Sequence, residues 1–103
     1  MTISKEQIIK YFKSGIKEKK NFKIGIEHEK FLFNGKDNKR IDYSKVKKMF
    51  SALNEFGWSP IKENENIVGL NKGGKNITLE PGNQIELSGE KLNNIHEACS
   101  ESH

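Results

Sequence analysis

Apolar and polar residues alternate along Ile77 to Gly89, ITLEPGNQIELSG. Ile77, Leu79, Ile85 and Leu87 are apolar, while Thr78, Glu80, Gln84, Glu86 and Ser88 are polar. Side chains alternate across a strand with period two, so this reads as two short strands, or one bent strand, with an oily face and a polar face. Pro81-Gly82 stands at the break, where a missing N–H and a permissive backbone allow a bend or bulge. The polar face carries two carboxylates and an amide. The wet side of an antiparallel sheet is enough to explain such a pattern, and the reading changes only because a second strand upstream has the same habit.

That strand is predicted over residues 22–33, FKIGIEHEKFLF. Phe22, Ile24 and Ile26 share one face, and Glu27 and Glu29 share the other. Two residues along a strand is about 6.5–7 Å, which sets the two carboxylates side by side. Like charges so placed repel unless a cation or solvent relieves them. Magnesium does so with oxygen ligands, few carboxylates and substrate phosphates. Two solvated glutamates are the plainer explanation of the E-x-E pair alone; Glu80 and Glu86 on a second polar face strengthen the functional one. His28 falls on the apolar side, as a hydrogen-bonded core residue and not a ligand.

Helical spacing brackets these strands. Ser4-Lys5-Glu6-Gln7 fits a capping box, and Ile8, Ile9, Phe12 and Ile16 continue it as an amphipathic helix over 5–19 that packs through its apolar stripe. Residues 34–41 form a polar loop opened by Asn34-Gly35. Asp42 caps a second helix over 43–56, with Val46, Met49, Phe50, Leu53 and Phe56 as a core stripe and Gly57 as its stop. Trp58 packs with that helix, and Pro60 keeps the next segment off a sheet interior. Residues 67–70 and 76–79 flank Lys72-Gly73-Gly74 as a hairpin. The two glycines with Lys72 and Lys75 could also cradle a phosphate, but they lack P-loop spacing. After Gly89 a third helix carries Leu92, Ile95, His96 and Cys99 on one side, with Cys99 a buried thiol.

Composition narrows the class. The chain has 103 residues, enough for one small domain, and is 33% hydrophobic with a mean hydropathy of −0.79. So lean a core fits either a marginal small domain or a piece of something larger. No run is apolar enough for a membrane span and no signal-peptide pattern is present. The single cysteine excludes an intrachain disulfide and a cysteine zinc site, which points to the cytoplasm. Net charge is +4, but residues 1–50 hold 14 basic against 6 acidic side chains, and residues 51–103 hold 4 against 8. A basic first half allows a small polyanion-binding module. Only one arginine, Arg40, and no interleaved exposed aromatics support that use, so a solvated lysine surface is preferred.

The segments Ile24-Gly25-Ile26-Glu27-His28-Glu29-Lys30-Phe31 and Leu79 to Gly89, with the Leu92, His96, Cys99 tail, resemble the N-terminal part of glutamate–cysteine ligase of the plant and proteobacterial type. The resemblance runs from about Phe22 to the chain end. Two departures are Asn83, where the family usually has a second glycine, and Ile26, where a small or polar residue is usual. The resemblance implies an α+β fold, an antiparallel sheet with helices on one face as in glutamine synthetase, of which residues 1–103 are the N-terminal fragment of the catalytic domain. It implies activation of the γ-carboxylate of glutamate by ATP, attack by the amine of cysteine, and γ-glutamylcysteine as product. By motif match Glu27, Glu29, Glu80 and Glu86 would be magnesium ligands or their supports. Glu27, Glu29, Gln84 and Glu86 would be the catalytic set, with Gln84 touching substrate or metal-bound water. ATP and Mg2+ would be required, the remainder of the ligase would complete the site, and neither nucleic acid nor membrane would be a partner. Another carboxylate–amine ligase on the same scaffold is the near alternative.

Overall fold

In a computed structural model, which describes residues 2–103, the chain forms a five-stranded antiparallel sheet and three α-helices. The strands are β1 (Glu27–Phe31), β2 (Ser59–Glu63), β3 (Asn66–Lys72), β4 (Lys75–Glu80) and β5 (Gln84–Ser88), in the spatial order β1-β5-β4-β3-β2. The alternating stretch is therefore two strands, β4 and β5, folded back on each other. Their register pairs Thr78 with Glu86 and Glu80 with Gln84. Pro81–Asn83 makes the turn, with φ of +75° at Gly82 and +57° at Asn83. Asparagine tolerates the left-handed region better than most residues, and here its side-chain amide also donates to the Ile41 carbonyl at 3.2 Å. The departure at Asn83 thus keeps the turn and adds an anchor.

The Gly73-Gly74 hairpin forms as the sequence indicates, with Lys72 opposite Lys75 and a positive φ at Gly73. Proline at position 60 lies in β2, an edge strand, where its missing N–H leaves no central ladder bond open. The expected strand over 22–33 is shorter, because only Glu27–Phe31 runs in continuous ladder. Ile24 instead exchanges two 2.8 Å backbone bonds with Leu92, and Phe33 bridges Arg40.

The second helix, α2 (Tyr43–Leu53), is capped by Asp42, whose carboxylate accepts from the Lys45 amide, and the chain continues as a 3-10 turn to Phe56 and a left-handed Gly57. Val46 and Phe50 on α2 and Leu70 on β3 are fully buried, with Met49, Leu53, Trp58, Ile67, Ile77, Leu79 and Ile85 packed around them. Phe56, counted in the stripe by spacing, is exposed because the helix tightens before reaching it.

The other helices depart further from expectation. The first helix, α1 (Lys5–Ser14), has its capping box but ends at Gly15 and not at residue 19. Glycine is a poor helix former by about 1 kcal/mol, and an isolated helix this short has little stability of its own to carry it further. None of its residues is buried, so the expected packing is absent within the described residues, and Phe12 is 73% exposed. The third helix, α3 (Ile95–Ser102), starts at its Asn94 cap, since Leu92 is engaged with Ile24. It buries Ala98, and Cys99 is exposed, contrary to the buried thiol read from spacing. The radius of gyration is 17.8 Å, against about 13 Å for a compact chain of this length. None of the described helices is long and apolar enough to cross a membrane.

Candidate active site

Register places the polar positions of β1, β5 and β4 on one face. Glu29 lies opposite Glu86, and Glu86 opposite Thr78; Glu27 lies opposite Ser88, and Ser88 opposite Asn76; Phe31 lies opposite Gln84, and Gln84 opposite Glu80. Directly opposed residues have Cβ atoms only about 4.5–5.5 Å apart, so these rows touch. All four glutamates named from sequence, with Gln84, therefore share a surface that no helix covers among the described residues. The rows continue across β3, where Asn71 follows Asn76 and Gly69 follows Thr78. No lysine occupies any of these register positions, in a chain with 18 basic residues.

Hydrogen bonds lock most of the side chains. Gln84 donates through Nε2 to Glu29 Oε2 at 2.7 Å. Thr78 Oγ1 donates to Glu80 Oε1 at 2.7 Å, and Ser88 Oγ donates to Glu86 Oε1 at 3.2 Å. Glu86 is the centre. Burial raises its carboxyl above the ordinary value, the Ser88 hydroxyl pulls it back, and the charges of Glu27, Glu80 and Glu29 raise it again. A site with this electrostatic pattern is relieved by a cation. Its ligands would be hard oxygens, the donor type that magnesium takes. Among the described residues, however, no three acidic, histidine or cysteine side chains converge closely enough to hold a metal ion. The strands bring the carboxylates to one face, where Glu29, Glu80 and Glu86 rest on amide or hydroxyl partners.

His28 projects to the opposite face, beside Lys30, Ile77, Ile85 and Leu87. It has no hydrogen-bond partner among the described residues, and this part of the apolar face is a shallow groove, so the expected bonded core histidine is not what forms. Spacing also gave no reason to single out Gly69, Phe31 or Arg40. A Cβ at Gly69 would lie 2.8 Å from the Ile77 carbonyl oxygen, so only glycine fits there. Phe31 continues the Glu27, Glu29 alternation onto the open face, a placement visible in the sequence had the oily side chain not disguised it.

A sequence profile of Glutamate-cysteine ligase family 2 (GCS2) matches residues 23–103. The chain belongs to this family. It is similar to glutamate–cysteine ligase A, chloroplastic, of Oryza sativa subsp. japonica, with 42% identity over 96% of this chain and 20% of the rice protein. The chloroplastic glutamate–cysteine ligases of Nicotiana tabacum and Arabidopsis thaliana are 39% and 38% identical, each over 96% of this chain and 19% of their own length. The chain thus spans about one fifth of the length of these curated relatives. The family match corrects one expectation. These relatives are chloroplastic, which overturns the cytoplasmic placement. A single cysteine rules out a disulfide within these residues and says nothing of the compartment.

Proposed function

We propose that these residues are the N-terminal part of the catalytic domain of an ATP-dependent glutamate–cysteine ligase, on a sheet of the glutamine-synthetase kind. The observation that carries the reading is the sharing of one uncovered face by Glu27, Glu29, Glu80 and Glu86 from three adjacent strands, in a member of a ligase family. Glu27, Glu29, Glu80 and Glu86 would be the magnesium ligands or their immediate supports. The ion, when bound, supplies charge neutralisation for phosphoryl transfer from ATP to the γ-carboxylate of glutamate. The chain's own residues provide the rest of this half-site. Glu86 concentrates negative potential at the centre of the face, Ser88 and Thr78 orient the carboxylates beside them, and Gln84 holds Glu29 while keeping its amide oxygen for substrate or water. The amine of cysteine would then displace phosphate and give γ-glutamylcysteine. Groups that cradle ATP phosphates and cysteine would come from the remaining four-fifths of such a ligase. The same polypeptide would cover α1 and the β1–β5 end of the apolar face, consistent with a helix that has no buried residue among those described.

The test is Glu27→Gln and Glu86→Gln in the full-length ligase, following phosphate release that depends on ATP, glutamate and cysteine together. Each variant should lower turnover by at least about 100-fold, the scale of a lost electrostatic group in a transition state, with an unchanged circular dichroism spectrum. Turnover like wild type in both would remove these residues from the site. ATP turnover with glutamate and an amine other than cysteine would keep the site and change the acceptor.

A further inference from the structure

Arg40 is the only arginine in the chain, and it reaches the edge of the carboxylate face from a loop. Backbone pairing holds its segment against the end of β1: Ile41 donates to Leu32 O at 3.2 Å, and Arg40 bridges Phe33. From there the guanidinium carbon sits 4.4 Å from the centre of the Phe31 ring, and Nη2 donates to the Gly82 carbonyl. No carboxylate lies within ion-pair distance of it among the described residues. The guanidinium therefore spends its interactions on a ring at the end of β1 and on the turn that joins β4 to β5. One residue later, Asn83 makes a second tie to the same segment through Ile41 O.

The turn is where positional control is needed. Glu80 precedes it and Gln84 follows it, and Glu86 lies two residues further along β5. Gly82 and Asn83 both have positive φ, a pair of conformations that the free chain would leave readily. A planar donor stacked on an aromatic ring is preorganised, and less freedom is lost on bonding than with a lysine. We propose that Arg40 is a positioning residue of the carboxylate site: by clamping Gly82 against Phe31 it fixes the β4–β5 turn, and through it Glu80, Gln84 and Glu86, for a divalent cation. This rests on the magnesium-site reading above.

The experiment measures Mn2+ binding to the full-length ligase without substrates, by electron paramagnetic resonance of the free ion, alongside amide hydrogen exchange over residues 81–86. Arg40→Met should weaken Mn2+ binding about tenfold, in the range for groups that orient metal ligands, and accelerate exchange at Asn83 to Glu86. Arg40→Lys should recover part of the affinity, since it retains a cation over the ring, and Phe31→Leu should reproduce part of the loss. The two conservative variants keep the test alive if Arg40→Met fails to fold. Wild-type Mn2+ affinity in Arg40→Met, or a fall in melting temperature with normal affinity, overturns the proposal. So does a raised KM for ATP or glutamate with Mn2+ binding unchanged, which would make Arg40 a substrate contact. Glu86→Gln serves as the control. If it too binds Mn2+ normally, the carboxylate-site reading itself falls; if it loses binding while Arg40→Met keeps it, only the role of Arg40 falls.

Discussion

The two faces of the sheet are built from the same strands, and often from neighbouring residues. On one face Leu70, Ile77, Leu79 and Ile85 pack beneath Val46 and Phe50 of α2. On the other, one residue along in each strand, stand Gly69, Thr78, Glu80, Gln84 and Glu86. The covered face is explained by removal of apolar surface from water, about 25 cal/mol per Å2. The open face is not explained that way, because opposed glutamates such as Glu29 and Glu86 repel and work against the fold. Such an arrangement works against stability, and the proposed site supplies a physical reason for it.

Substitutions on the two faces should therefore differ in sign as well as size. The largest effect on stability belongs to the covered face. Phe50→Ala empties the centre of the core and should cost about 3–5 kcal/mol, read by denaturant unfolding of the full-length chain. Next comes a residue of the open face that is nonetheless structural. Gly69→Ala drives a methyl group against the Ile77 carbonyl and should cost about 1–3 kcal/mol; no loss would mean that β3 and β4 shift apart freely there.

Glu86→Gln should act in the opposite direction, raising the melting temperature near neutral pH without added divalent cation. Because the folded carboxyl is raised above its ordinary 4.5, its contribution is fully present below that value and is lost as pH rises through the folded value. The gain from the amide should thus shrink as pH falls towards 4.5, and a stabilisation independent of pH would refute the electrostatic account. The smallest effect is expected at Asp42. Its carboxyl is lowered by the Ser44 hydroxyl, and also by the Lys45 amide that it caps. That contribution is present above the ordinary 3.8 and disappears as pH falls through the folded value. Asp42→Ala should lower the melting temperature slightly at neutral pH and not at all in strong acid.

Much of this was legible in the sequence, for local reasons. Alternation with period two marked the faces of β4, β5 and β1, and hence which side the glutamates occupy. The Ser4 and Asp42 caps, the Gly57 stop and the Gly73 turn each depend on a few adjacent residues, and each forms as the sequence indicates. Spacing failed where a partner decides the outcome. The stripe of α1 is as regular as that of α2, yet one is exposed and the other lines the core, because periodicity states which side is apolar and not whether anything lies against it. Cys99 and Ile95 were misread for the same reason: α3 rests on Ala98, a smaller and less conspicuous residue.

Sequence alone determined where most elements lie, the Ser4 and Asp42 caps and the separation of acidic from oily positions, since those follow from backbone geometry and neighbours within a few residues. Tertiary structure decided what stands opposite what. Only the register of β1 on β5 and β5 on β4 brings Glu29, Glu86 and Thr78 into one row, and only the fold of the 34–41 loop carries Arg40 onto the turn at Gly82. Pairings across such sequence distances depend on the closure of the whole sheet, which no local pattern encodes.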